Sequence, residues 1–197
     1  MNTAADLFKI ETNHVVPEKG SLLISEPFLQ DGIFGRAVIL LVDHSEGGSM
    51  GLVLNKPLPI HLGDVLTDFD GAGDIPLYRG GPVGTDTLFY LHTFAGLEGA
   101  MEVADGLWLN GDFEAVKHYI RQGNPVEGRL RFFLGYSGWD GGQLLREVNE
   151  NAWLIGSGEW GEVMSPAAVQ GLWKQSMCRL GGKYEIWSRF PRNPIFN

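Results

Sequence analysis

Glycine sets the strongest limit on what this chain can fold into. Its 28 glycines are scattered through 197 residues and cut the chain into short runs. No segment repeats at a fixed period as a solenoid would, and no glycine-rich block divides two domains. The runs between glycines are rich in β-branched and aromatic residues. They are Gly20–Ser25, Arg36–Asp43, Met50–Asn55, Ile75–Tyr78, Thr87–His92, Met101–Val103, Gly106–Leu109, Arg129–Tyr136 and Trp153–Ile155. Each reads as a strand, and several are apolar at successive positions, which predicts strands covered on both faces by helices or by closure of the sheet. Asp43–Ser49 joins two of them with small polar residues and glycines and predicts an antiparallel hairpin with a longer loop.

Helical spacing is rarer. Phe113, Val116, Tyr119 and Ile120 recur at 3.6-residue spacing between Asp112 and Gly123, with Asn110 placed to cap the start. Leu144, Leu145, Val148 and Ala152 do the same between Gly142 and Trp153. A third helix is predicted from Ser165-Pro166 through Leu180 to Gly181-Gly182, and a weaker one over Leu62–Phe69. Strands and helices without strict alternation predict an α+β architecture with a curled or barrel-like sheet. The expectation is one domain over residues 1–197, with 1–17 as an N-terminal extension and 186–197 as a docked C-terminal tail. That tail carries Trp187, Phe190, Ile195 and Phe196, too apolar for a free end, and it could pack on its own body or on a second copy, giving a homo-oligomer.

Composition narrows the function classes. Cys178 is the lone cysteine, so an internal disulfide or a cysteine-built metal site is excluded, and a reducing compartment, the cytosol, is expected. The first twenty residues carry scattered charges and no signal-peptide core, and the longest apolar run, Ala37–Val42, has six residues against the roughly 20 of a membrane span. No membrane is expected as a partner. The net charge of −9 opposes a surface built for phosphate backbones, so specific nucleic-acid binding by the isolated protein is not expected. The charge is uneven: Lys174–Asn197 holds five basic residues against one acid, net +4, which leaves −13 on residues 1–173.

Chemistry-bearing residues do not form a complete catalytic set. Phe132–Leu145 runs from a strand through a glycine-rich corner to a helix start, where Trp139 anchors the corner or the corner contacts a ligand. Ser137 lies at this corner, yet Gly135-Tyr-Ser-Gly-Trp139 places Trp where a nucleophile elbow needs glycine, and all five histidines precede the serine. His44 in its loop is a solvated turn residue or a ligand contact. His61 with Asp64 lacks a third metal ligand. Arg79-Gly80-Gly81-Pro82-Val83 is a plain turn or a small anion nest. Cys178, beside Met177 on the third helix, reads as an inert, partly buried thiol. No metal and no cofactor is expected.

Four stretches together resemble the YqgE/AlgH family of bacterial proteins, over roughly residues 18–190. They are Gly20-Ser-Leu-Leu-Ile-Ser-Glu-Pro27 with Phe34-Gly-Arg36, Val38 through Asp43-His44 into Gly51-Leu-Val-Leu-Asn-Lys-Pro57, Gly80-Gly-Pro-Val83, and Phe133-Leu-Gly-Tyr-Ser-Gly-Trp139 with Gly142-Gln-Leu144 and Trp153-Leu154. The resemblance implies an α+β fold with a bifurcated sheet containing a small closed β-barrel, flanked by three to four helices. Family members are described as uncharacterised or as transcriptional regulators, so the resemblance carries over no reaction and no cofactor. It marks Ser25, Arg36, His44, Asn55, Gly80, Gly81, Pro82, Tyr136, Gly138, Trp139 and Gln143 as a ligand or partner surface, with Trp153 also in a motif. Asp140 departs from the family pattern by putting a carboxylate in the corner, against an anion site there; the aromatic tail departs as well. The function expected is a cytosolic, non-enzymatic binding or regulatory module for a protein or small ligand. The alternative is a hydrolase or transferase using a cleft near Arg36, His44 and Ser137.

Overall fold

The computed structural model describes residues 9–66, 69 and 73–191. The strands are β1 (Leu22–Ser25), β2 (Val38–Ser45), β3 (Gly48–Val53), β4 (Pro57–His61), β5 (Pro76–Arg79), β6 (Val83–His92), β7 (Met101–Ala104), β8 (Leu107–Leu109), β9 (Leu130–Asp140) and β10 (Trp153–Gly156). The helices are α1 (Leu62–Val65), α2 (Phe113–Arg121), α3 (Gln143–Asn149), α4 (Trp160–Val163), α5 (Leu172–Leu180) and α6 (Gly182–Trp187), with a 3-10 turn at Pro166–Ala168. Every strand read from the sequence is present. The strand missed, β4, carries Pro57 and Pro59 and pairs only with β5, an edge position that tolerates proline's missing donor.

The longest strand, β9, organises the sheet. Leu130–Leu134 lies between antiparallel β6 and parallel β5, and beyond Gly135 the same strand crosses to pair Ser137–Asp140 with β3. One strand thus pairs with three others, β5, β6 and β3. The main path runs β10-β1-β2-β3-β9-β6-β8-β7.

The small closed barrel does not form among the described residues. The path ends at β10 and β7, which do not pair. On β10 the place of a neighbouring strand is taken by side chains from the N-terminal segment. Asn13 Nδ2 donates to the Ile155 carbonyl (2.6 Å), Asn13 Oδ1 accepts from Ile155 N–H (3.0 Å), and Thr12 Oγ1 donates to the Trp153 carbonyl (3.2 Å). Between the two end strands remains a groove of about 510 Å³, lined by Val103 and Ala104 on one side and Ile155 and Gly156 on the other.

Alternation along the strands builds the core on both faces. Leu22, Ile24, Val38, Leu40, Val42, Leu52 and Leu54 point into the curl, with Trp173, Met177 and Trp187 closing over them. The intervening Leu23, Ala37, Ile39, Leu41 and Val53 face Leu144 and Val148 of α3. Val116 and Ile120 of α2 cover a third cluster with Leu77, Tyr90, Leu130 and Phe132. Asp112, two residues past the expected Asn110, caps α2 by accepting from the Glu114 and Ala115 N–H groups. The third predicted helix is interrupted: Ser165-Pro166 opens only the 3-10 turn, and the helix resumes at Leu172. Among the described residues, no helix is long and apolar enough to cross a membrane.

Candidate functional site

The corner read from the sequence is tighter than expected. Tyr136–Asp140 continues β9 as a paired strand, because β3 supplies a partner up to Asp140, and only Gly141-Gly142 turns the chain into α3. Ser137 is therefore a mid-strand residue rather than an elbow. It is 1% exposed and its hydroxyl donates to the Gly80 carbonyl at 3.2 Å.

Opposite this strand, β2 and β3 form a hairpin with a two-residue turn, Glu46-Gly47, shorter than the loop expected. Pairing continues through His44↔Ser49 and Ser45↔Gly48, so His44 sits on a strand, with its Nδ1 at 2.7 Å from Ser49 Oγ. Two clefts flank the hairpin. One, of about 440 Å³, is lined by His44, Glu46, Ser49, Gly142 and Leu145. The other, of about 560 Å³, is lined by Asp43, Met50, Val83, Tyr136, Gly138 and Asp140. Asp43, Glu46 and Asp140 are exposed, so the rim is acidic.

Behind the clefts lies a carboxylate that sequence reading missed. Glu147 Oε2 accepts from the indole N–H of Trp139 (2.9 Å) and of Trp153 (2.8 Å), while its Oε1 accepts from Gln143 Nε2 (2.9 Å). The two indoles meet edge to face at 6.2 Å, and Gln143 Oε1 accepts the Asp140 N–H. Gln143 and Glu147 stand one helical turn apart and share a face of α3, a signal present in the sequence but uninformative until the two tryptophans converge on it. This cluster fixes the angle between β9, α3 and β10.

With that geometry established, the comparisons assign the chain. Residues 22–185 match the family described as AlgH-like. The chain belongs to this family. A UPF0301 protein of Bacteroides fragilis is 55% identical over 197 residues, covering all of both chains. Another from Chlorobium limicola is 35% identical over 179 residues, 90% of this chain and 95% of the relative. The solution structure of the AlgH protein from Pseudomonas aeruginosa is similar with a TM-score of 0.69 at 29% identity, covering 89% of this chain and 95% of that one. The crystal structure of protein DIP2367 from Corynebacterium diphtheriae reaches a TM-score of 0.74 at 24% identity, over 91% and 95% of the chains, and shows the shared fold.

The AlgH-like motif residues fall into two groups. Ser25, Arg36 and Asn55 serve the interior: Ser25 Oγ accepts from Ala37 N–H (2.9 Å), and Asn55 donates to the Arg36 carbonyl (2.9 Å) and accepts from Val38 N–H (2.9 Å). Arg36, with φ of +53°, lies over the Trp173 ring at 4.7 Å and donates to the Phe190 carbonyl. Gly80 and Gly81 belong with them, because a Cβ on either would sit well under 3.0 Å from the β9 backbone at Gly135 or Tyr136. The Gly80 N–H, one of those assigned to an anion nest, is already bonded to Leu134 O (2.8 Å). Trp139 is buried at 6%. His44, Pro82, Tyr136, Gly138 and Gln143 reach the surface or are half-buried. Neither flanking cleft contains Ser137 or Arg36, so the trio of the hydrolase alternative shares no cleft there. His61 and Asp64 are occupied in starting α1, where the His61 N–H donates to Asp64 Oδ2 (2.7 Å). Cys178 differs from its expected half-burial: the helix turns it outward and it is exposed.

Proposed function

We propose that this AlgH-like chain is a non-catalytic binding module that engages a protein partner through the β2–β3 hairpin and the end of β9. One observation carries the reading. The motif residues Ser137 and Arg36, which have catalytic potential, donate to internal carbonyls, whereas His44, Tyr136 and Gly138 line the two hairpin clefts. The floor of the larger cleft offers Met50, Val83 and the Tyr136 ring, and its rim carries Asp43 and Asp140. A partner presenting an apolar side chain flanked by Lys or Arg fits both features. A cytosolic regulatory setting fits the single cysteine and the acidic composition.

The test is site-specific photo-crosslinking in the native bacterium, with the reactive group at exposed Asp140 and, as a control, at exposed Gln122 beyond α2. The reading expects a discrete adduct from position 140, and one from a group at exposed Ser45 that the double variant Asp43→Lys/Asp140→Lys loses. Equal adducts at 122 and 140, or adducts indifferent to charge reversal, would sink it.

A further inference from the structure

A smaller cavity lies away from the hairpin, beside β5, the segment before β9 and the 3-10 turn. Its volume is about 310 Å³, at the lower end of the roughly 300–1,000 Å³ typical of small-molecule sites, and Ile75, Val126, Leu130 and Pro166 give it apolar walls. Tyr78 and Arg131 complete the lining. Arg131 is the unusual member. It projects from β9 and is 3% exposed. One terminal nitrogen donates to the Val163 carbonyl at the end of α4, the other to the Leu54 carbonyl at 2.6 Å, and the guanidinium lies 4.1 Å from the Tyr78 ring centroid. Its Nε–H has no hydrogen-bond partner, and no described carboxylate forms an ion pair with it.

A guanidinium offers five N–H donors, and a cation taken out of water without a counter-charge is costly unless something compensates it. Two neutral carbonyls, the Tyr78 side chain and the Phe133 ring at 5.5 Å compensate only in part, since none of them carries a full counter-charge. Burial accordingly brings the Arg131 pKa down to about 10. An anion reaching this cavity would gain hydrogen bonds to donors already fixed in place, with little reorganisation.

We propose that the cavity is a binding site for a small apolar monocarboxylate, its carboxylate hydrogen-bonded to Arg131 and its hydrocarbon part against Ile75, Val126, Leu130 and Pro166. Asp74 and Glu127 also line the cavity and are exposed. Their two charges favour a monoanion over phosphate or a dicarboxylate, which would meet more repulsion on entry. This site is independent of the hairpin clefts and stands whether or not they bind a protein.

The experiment titrates the full chain with hexanoate, with its neutral isostere hexanamide, and with inorganic phosphate, reading backbone amide NMR shifts around Tyr78 and Leu130 together with the melting temperature. The expectation is saturable binding of hexanoate, at least about tenfold tighter than hexanamide or phosphate, with a matching rise in melting temperature. Arg131→Met should erase the difference between hexanoate and hexanamide. Glu127→Trp, a change at an exposed position, should weaken both by filling the entrance, and it decides the question if Arg131→Met fails to fold. Equal affinity for acid and amide, no saturable shift with hexanoate, or undiminished binding in Glu127→Trp would each overturn the proposal.

Discussion

Two kinds of residue hold the corner of this protein, and they fail differently. Glu147 joins Trp139, Trp153 and Gln143 through one carboxylate, so Glu147→Ala leaves two indole N–H groups unpaired. Hydrogen bonds to a charged group and the orphaned donors together predict a loss of about 1–3 kcal/mol, read from urea unfolding. Trp139→Ala should cost about 3–5 kcal/mol, because it removes a buried ring, its edge-to-face contact with Trp153 and the bond to Glu147. A wild-type-like unfolding midpoint would show that Trp139 does not anchor the corner. Gly80→Ala fails by overpacking instead. The added methyl has nowhere to go but into the β9 backbone and the Leu52 side chain, and a destabilisation of about 3 kcal/mol or more is expected from the same measurement. The doublet Gly80-Gly81 was conspicuous in the sequence, but two glycines look alike whether they free a backbone for an anion or clear space for a strand.

At the scale of elements, β6 carries a buried pH dependence. His92 at its end is fully buried, its Nε2–H donates to the Asn110 carbonyl (2.8 Å) and its Nδ1 accepts from Phe94 N–H (3.2 Å), so the fold selects one neutral tautomer. Desolvation lowers its pKa, outweighing the Asn110 bond, which favours the proton. Below about 6.5 the unfolded chain takes up a proton that the folded chain resists, so stability is full above that pH and declines as pH falls toward the lowered folded value. Glu26 acts with the opposite sign in a lower window. Burial raises its pKa above the ordinary carboxylate value, so its protonation favours the fold as pH drops through that raised value. Urea midpoints should therefore fall between about pH 7 and pH 5.5 in the wild type, and by less in His92→Gln. An unchanged slope in the variant would remove His92 as the cause. The elements themselves were largely readable: the glycine-bounded runs became strands and the 3.6-residue spacing of Val116 and Ile120 became the buried face of α2. The β4 strand was hidden by its prolines, and the extension of β9 past Tyr136 was hidden because pairing with β3 is what holds Ser137–Asp140 extended.

For the whole molecule, the C-terminal region presents the sharpest test. Trp187 is fully buried, Phe190 stacks on Phe28 at 5.5 Å, and Arg36 donates to the Phe190 carbonyl; residues 192–197 lie outside those described. Deleting residues 186–197 removes Trp187 from the core and should lower the melting temperature by an amount consistent with a loss of about 3 kcal/mol or more. A truncated protein that melts and sediments like the full chain would refute a docked tail. The charge distribution supports a second expectation. With net charge −9, the protein should show no sequence-selective duplex DNA binding at about 150 mM salt, and submicromolar selective binding would reopen a direct regulatory role.

The sequence by itself determined where most of the strands and the helix over Phe113–Arg121 form, and that several strands are covered on both faces. Those properties follow from local periodicity and from the number of apolar positions per strand, which need no knowledge of neighbours. Only the tertiary structure decided that β9 pairs with three strands, that the sheet stays open, and that Ser137, Arg36 and the Gly80-Gly81 pair are taken up in the interior. The free edge of β10 is covered by Asn13 reaching Ile155 across 142 positions of sequence, and the corner is held by Trp139 and Trp153 meeting over Glu147. A single chain read in order holds the groups that make such contacts, while the distances between them are set by packing, which acts across the whole sheet at once.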